Sequence, residues 1–163
     1  MTIEPADFRR ALGQLVTGVT VVTTVDRSGD PLGLTASAVC SVSLSPPLIL
    51  VCVGAHSEAH EGFRHFGRFG VSVLAEDQEA FSRSFAQPGP EKFVGAPMVR
   101  GEGGLSFLQG ALAHLECRVA ASHPAGDHTI YVGEVVRLAV FGGDPLLYHR
   151  GGYHGVRMLG GGR

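Results

Sequence analysis

The sequence predicts a mainly β protein, a closed or split antiparallel β-barrel with a few short helices. Three observations favour this class. Apolar, β-branched segments recur along the chain, and turn residues separate them, giving about seven strands. The segments follow one another in hairpin-like order, without the regular strand-helix alternation of a parallel sheet. No G-x-G-x-x-G motif follows a predicted strand, which disfavours a Rossmann domain.

The first third of the chain supplies one helix and three strands. Pro5 suits the first turn of a helix over residues 5–16, which Gly18 can end. The run "VTVVTTV" predicts a strand at 19–25, and "DRSGDP" has the composition of a hairpin turn. The returning strand is predicted at 32–39. A buried strand follows at 47–53, after a Pro-Pro pair that cannot donate ladder hydrogen bonds.

The middle of the chain alternates short helices and strands. Ser57 is a candidate N-cap for a short helix. A strand is predicted at 69–75, and a helix at 76–86 places two phenylalanines four residues apart on one face. Residues 89–104 are rich in glycine and proline, which predicts a long loop.

The last third predicts three more strands. In "ALAHLECRV" (111–119) the alternation predicts that His114, Glu116 and Arg118 face one way and the apolar residues between them the other. The segments 128–141 and 145–149 complete the set. We therefore expect one domain over residues 1–155, followed by a glycine-rich tail over 156–163.

Composition narrows the classes of partner. The formal net charge is −2 and no Lys/Arg cluster appears, so nucleic acid is not expected. No apolar run is long enough to cross a bilayer, and the N-terminus lacks the apolar core of a signal peptide. The three cysteines form neither a disulfide framework nor a zinc motif, and small buried thiols in a reducing cytoplasm are expected. Hydrophobic residues reach 44% and charged residues only 17%, which favours a homodimer or a larger buried sheet.

Hydroxyl side chains are concentrated between two predicted strands, in the run "GLTASAVCSVSLSPP". Thr35, Ser37, Ser41, Ser43 and Ser45 lie within eleven positions. On spacing alone the run predicts either a solvated edge strand or a surface where small polar groups approach a ligand such as phosphate. Three histidines, His56, His60 and His65, lie nearby, but their spacing is poor for one helical face. A solvated polar face is favoured over a metal site, and no metal is expected.

Four segments in the right order resemble the flavin reductase-like family. They are "TGVTVVTT", "GLTASAVCSVSLSPPLILVCV", "GDHTIYVGEV" and "PLLYHRGGY", and the similarity covers residues 8–153. The resemblance implies an FMN-binding split barrel that acts as the NAD(P)H:flavin oxidoreductase component of a two-component monooxygenase. It implies FMN or FAD as the flavin, NADH or NADPH as the hydride donor, a homodimer, and an oxygenase partner.

The resemblance also implies site residues. The flavin is expected to lie against 35–38 and the positions that follow, and its ribityl phosphate against the turn 52–57. His128 of "GDH" is expected beside the nicotinamide, as the one catalytic residue. The implied cofactor-binding residues are Thr35, Ala36, Ser37, Ala38, Ser41, Val42, Cys52, Val53, His56, Ser57, His128, Tyr148 and Arg150.

Each of these assignments has an alternative. His128 also fits an ordinary turn histidine beside Gly126, and Arg150 also fits a surface arginine at a strand end. Ser37 and Ser72 stand where the family commonly has asparagine, and Ser84 where many relatives carry a basic residue. For the whole chain, the alternative to a reductase is a flavin-binding electron-transfer or sensor module without nicotinamide turnover.

Overall fold

The computed structural model describes residues 2–157. The α-helices are α1 (Pro5–Leu12), α2 (His60–His65) and α3 (Glu79–Phe85). The strands are β1 (Thr17–Gly18), β2 (Thr20–Val25), β3 (Pro31–Ala36), β4 (Val39–Leu44), β5 (Pro47–Gly54), β6 (Arg68–Val73), β7 (Met98–Arg100), β8 (Ser106–Leu108), β9 (Ala113–Ala125), β10 (His128–Val140), β11 (Leu147–His149) and β12 (Gly152–His154). Two 3₁₀ turns, Glu76–Gln78 and Pro90–Phe93, precede α3 and β7. Apart from residues 156 and 157, the predicted tail lies outside the described residues, and the single domain over 1–155 stays a prediction.

Seven antiparallel strands form the main sheet in the order β3-β2-β6-β9-β10-β5-β4. Its two edges, β3 and β4, are consecutive in sequence. A flat sheet of seven strands would hold its edges about 29 Å apart, at ~4.8 Å per neighbouring pair. The three steps from Ala36 to Val39 span at most about 11 Å. The short connection therefore forces the sheet to curl until its edges approach each other, which is the predicted split barrel.

The core forms where the curled sheet encloses apolar side chains. All six residues of β2 are buried, because this strand lies inside the sheet and is covered on both faces. Phe63 from α2 stacks on Phe69 of β6 at a centroid distance of 5.0 Å. A second cluster on the other side packs Phe85 of α3 against Val21 and Leu108. The turn after β2 matches its prediction, since Asp26 Oδ1 accepts hydrogen bonds from two backbone amides within it.

Helix α1 is shorter than predicted. It ends at Leu12, with Gly13 as its C-cap, whereas the pattern predicted residues 5–16. Leu15 and Val16 lie beyond it and are 61% and 57% exposed. None of the helical residues is buried. The apolar face used for the prediction therefore has no partner within the described chain to extend the helix.

Glu116 of β9 is buried, although it alternates with Cys117 and shares a strand face with His114. Glu116 is 3% exposed and sits next to the buried Cys117, so two consecutive side chains are enclosed. The register of β10 against β9 shifts between Val135 and Arg137, which is a local bulge. The buried carboxylate is paired with Arg68 at 3.2 Å and Arg137 at 3.4 Å. These partners offset the cost of enclosing a charge, a possibility that alternation alone does not include.

Smaller differences concern the loops. The predicted loop 89–104 contains the turn Pro90–Phe93 and strand β7, which pairs with β8. Cys40 is exposed rather than buried, because it lies on the edge strand β4. Within residues 2–157, no helix has the length and apolarity needed to span a bilayer.

Candidate functional site

The hydroxyl run lies where the barrel is split. Ser37 and Ala38 form the connection between the two edge strands, and both are exposed. The backbone N–H of Cys52 donates to the Ala38 carbonyl at 3.0 Å. This bond holds the connection against the end of β5. Ser41 and Val42 continue along β4, where a register shift leaves both exposed.

Two members of the run have structural partners. The Thr35 hydroxyl donates to the Ser82 carbonyl of α3 at 2.6 Å. Ala36 is buried, and its carbonyl accepts a hydrogen bond from the Thr20 hydroxyl at 2.8 Å. The Thr35 hydroxyl therefore fixes α3 to β3. The free polar groups of the connection come from Ser37 and the backbone.

Two turns meet at the end of β5. Gly54 pairs with His128, and the Ala55 N–H donates to the Asp127 carbonyl at 2.8 Å. The structure therefore places the turn 54–57 directly beside "GDH", which is far away in sequence. Val53 is buried in the core, and Cys52 is half-buried, with its thiol pKa raised by burial and then by Cys40.

His128 is half-exposed and oriented by its neighbour. Its Nδ1 donates to Asp127 Oδ1 at 2.8 Å. This hydrogen bond is the main cause of the lowered pKa of Asp127, and the positive charges of His128 and, to a smaller extent, Arg9 add to it. Because Nδ1 is engaged, Nε2 remains the free ring nitrogen. It lies 3.9 Å from the position that a Cβ on Gly54 would take, so glycine leaves space beside the ring.

A cavity of about 310 Å³ opens next to this junction. His56 and Ser57 line one wall, and Gly33, Ala86 and Lys92 line the others. Ser57 Oγ accepts the N–H of Ala59 at 3.3 Å, so it caps a turn that precedes α2, not the helix itself. The N-cap of α2 is Ala59, so the N-cap predicted at Ser57 is two residues early.

Lys92 is the residue of this cavity that the sequence reasoning missed. Its Nζ donates to the Gly33 carbonyl at 2.9 Å, and burial lowers its pKa, an effect that Glu58 opposes. It lies in the segment expected to be an irregular loop. One signal was available, because Lys92 is the only lysine in the sequence.

Tyr148 and Arg150 lie in a second cavity of about 440 Å³. Ser37 also lines this cavity, and Ala38 bonds to Cys52. The connection between the edge strands therefore contacts the predicted residues of β5 as well as Tyr148 and Arg150. The Arg150 N–H donates to the Gly13 carbonyl at 3.0 Å, and its Nε donates to Gln14 Oε1 at 2.9 Å. Arg150 is thus held against the end of α1.

Ser72 is completely buried, and its hydroxyl accepts the Leu108 N–H at 3.0 Å, so it lines neither cavity. His60, expected on a solvated face, is buried between the Tyr131 hydroxyl and the Gly54 carbonyl, each 2.8 Å away. It therefore anchors the turn that follows β5. Among residues 2–157 no three His, Cys, Asp or Glu side chains lie together in a metal-binding arrangement.

These residues fit a flavin mononucleotide. The first cavity combines the Lys92 ammonium and the Ser57 hydroxyl, which are suitable donors for a phosphate, and the Glu58 carboxylate also lines it. The exposed residues Ser37 and Ala38 form the connection between the edge strands, without bulky side chains that would hinder a flat ring. The free Nε2 of His128 lies at the end of the same strand junction. The arrangement offers donors for a phosphate, a connection of small exposed residues and one imidazole.

Comparison with known proteins agrees with the interpretation of this region as a flavin site. The family model described as "Flavin reductase like domain" matches residues 12–157. An NADH-dependent flavin reductase from Rhodococcus sp is 41% identical, over 97% of this chain and 90% of its own. The reductase subunit HsaB of a flavin-dependent monooxygenase from Rhodococcus jostii is 38% identical, over 94% of this chain and 79% of its own.

A solved structure agrees in fold as well. The Streptomyces globisporus C-1027 NADH:FAD oxidoreductase SgcE6 superposes with a TM-score of 0.88 at 38% identity, covering 97% of this chain and 98% of that chain. The split-barrel prediction and the resemblance found in the sequence are both confirmed. The chain belongs to the flavin reductase like domain family.

Proposed function

We propose that this chain is an NAD(P)H:flavin oxidoreductase that reduces free FMN or FAD and supplies the reduced flavin to a separate monooxygenase. One observation carries the proposal at the level of the site. The GDH turn, the end of β5 and the connection between the edge strands meet at the split, through the Gly54–His128 pair and the Cys52–Ala38 hydrogen bond. Membership of the family supports the same activity.

The residues divide into two roles. Ser37, Ala38 and the turn 54–57 hold the flavin, with Lys92 and Ser57 at its phosphate. His128 positions the nicotinamide through Nε2, while Asp127 fixes the orientation of the imidazole at 2.8 Å. When bound, the flavin supplies the ring that accepts a hydride.

The protein contributes placement to this reaction. Holding two reactants at near-attack distance can lower a barrier by up to ~7–11 kcal/mol. The β5–β10 ladder and the buried His60 fix the turn 54–57, so its backbone is ordered before the substrates bind. No residue of the site has to transfer a proton during a hydride step. The enzyme can therefore work with one positioned imidazole and no acid–base pair.

The chain works as a homodimer. Beyond the bulge, β10 carries Leu138 and Val140, which are 67% and 74% exposed. Alternate residues of a strand share a face, so these two form one apolar row. Continuous exposed apolar surface of this kind usually marks an interface. The expected dimer is testable by light scattering, and Leu138→Glu should convert it to a monomer.

The first experiment follows absorbance at 340 nm with NADH and then NADPH, with and without added FMN or FAD. Oxidation that depends on added flavin and saturates in both substrates supports the reductase. If protein that binds flavin oxidises neither nicotinamide, the reductase proposal is wrong. The chain is then an electron-transfer or sensor module.

A further inference from the structure

Three arginines surround a cavity beside the proposed flavin site. This cavity of about 470 Å³ is lined by Arg9, Arg10, Gly13, Gln14, Arg150 and Gly151, with no carboxylate in its wall. We propose that this arginine cavity binds the adenylate phosphate of a dinucleotide, either the NAD(P)H that reduces the flavin or FAD itself. The inference rests on the proposed function for the identity of the dinucleotide, and the phosphate chemistry is common to both.

The cavity keeps a net positive charge. Arg10 is paired with Asp7 at 2.8 Å. The partner of Arg150 is the neutral amide oxygen of Gln14, so its charge is not compensated. Within residues 2–157, Arg9 has no carboxylate at ion-pair distance. Guanidinium groups without an acidic partner are well suited to phosphate, which they can bind through two parallel hydrogen bonds.

The backbone holds these groups in place. The Arg150 N–H bonds to the carbonyl of Gly13, the C-cap of α1, at 3.0 Å. Arg150 itself has φ of 50°, a left-handed conformation that non-glycine residues seldom adopt. Such residues cluster at binding sites, where surrounding contacts impose the conformation. The end of α1 and the turn after β11 therefore form one ordered wall.

The arginine cavity is continuous with the reaction site. The neighbouring 440 Å³ cavity shares Arg9, Gly13, Arg150 and Gly151 with it and extends to Ser37. On the other side, the charge of Arg9 reaches Asp127, where it contributes to the lowered pKa after the hydrogen bond and charge of His128. A dinucleotide with its reactive ring at the split can therefore extend its second nucleotide toward the arginines.

The test uses Arg9→Gln, because Arg9 is exposed and its replacement leaves the fold intact. We expect weaker binding of ADP, measured by calorimetry without turnover, by roughly tenfold for the loss of one charge-assisted hydrogen bond. Arg9→Lys should recover part of the affinity. Arg64→Gln removes the same charge from an exposed position on α2 that lines neither cavity, and it should leave ADP binding unchanged.

Kinetics then identify the dinucleotide. If NAD(P)H occupies the cavity, Arg9→Gln raises the KM for NADH and leaves the KM for reduced nicotinamide mononucleotide, which has no adenylate, within about twofold. If FAD occupies it, the KM for FAD rises and that for FMN does not. If Arg9→Gln binds ADP as the unmodified protein does and keeps its KM values for NADH and FAD, this inference is wrong. Because the enzyme is then still active, the proposed reductase function stands. Loss of ADP binding in a protein that never oxidises NADH supports the cavity and refutes the reductase.

Discussion

Replacing Lys92 with methionine tests the phosphate end of the site. Lys92 is partly buried, and its Nζ reaches the 310 Å³ cavity lined by His56 and Ser57 while bonding to the Gly33 carbonyl. An ammonium has three donors, and the Gly33 bond uses one. Methionine has similar length and no charge. The substitution therefore removes the donors toward the cavity and keeps most of the packing.

The magnitude follows from the kind of bond that is lost. Hydrogen bonds to charged groups are worth about 1.5–3 kcal/mol, and partial exposure places this one near the lower end. FMN affinity should then fall by roughly tenfold to thirtyfold. Riboflavin has the same ring and ribityl chain without the phosphate, so its affinity should change by less than about threefold. The difference between the two ligands isolates the contact with phosphate from any effect on the loop.

The assay is quenching of flavin fluorescence on titration with protein, for FMN and riboflavin in parallel. Lys92→Arg keeps the charge and should retain most FMN affinity. Equal losses for FMN and riboflavin would refute the reasoning. Such a result would mean that Lys92 acts by holding Gly33 and the neighbouring β3 strand, and that another group contacts the phosphate.

Three further predictions address catalysis and stability. His128→Ala should raise the KM for NAD(P)H and lower kcat/KM while flavin affinity stays nearly unchanged; lost flavin binding with normal nicotinamide kinetics would contradict the assignment. Gly62→Ala should lower the free energy of unfolding by about 1–3 kcal/mol in urea, because a Cβ there would lie 2.3 Å from Thr24 Cγ2, whereas Gly18→Ala meets nothing within 4 Å and serves as control. Burial raises the pKa of the Cys117 thiol from 9.0 to about 12. Above pH 9 only the unfolded chain therefore loses this proton, so the free energy of unfolding should fall as pH rises toward 12, and Cys117→Ala should show a shallower decline.

Periodicity and turn residues were sufficient to predict most of the fold. The strands at β2, β5, β6 and β10 were found because long β-branched or alternating runs have few other ways to bury their side chains. The helix before β1 was overextended because its apolar face, including Leu15, has no partner in the structure. Local pattern gives the shape of a segment, and it does not say whether another segment covers it.

The site was only partly predictable for the same physical reason. Ser37, Ala38 and the turn 52–57 came from the resemblance, and hydrogen bonding across the sheet places them beside His128. Lys92 was missed because its position depends on a loop folding back onto β3. The burial of Glu116 was missed because its partners come from β6 and β10. Both errors concern contacts between residues that are distant in sequence.

The position of the site follows from how the barrel fails to close. Ser37 and Ala38 join opposite edges of a seven-stranded sheet within about 11 Å, so β3 and β4 approach each other, but they remain edge strands that do not pair with each other. Backbone groups at unpaired edges need other partners. The Thr20 hydroxyl occupies one of these positions by donating to the Ala36 carbonyl, and the exposed residues 37–38 leave others for a ligand. The hydroxyl-rich run therefore lies at the split, where small exposed residues leave polar groups free, and these are the groups against which we place the flavin.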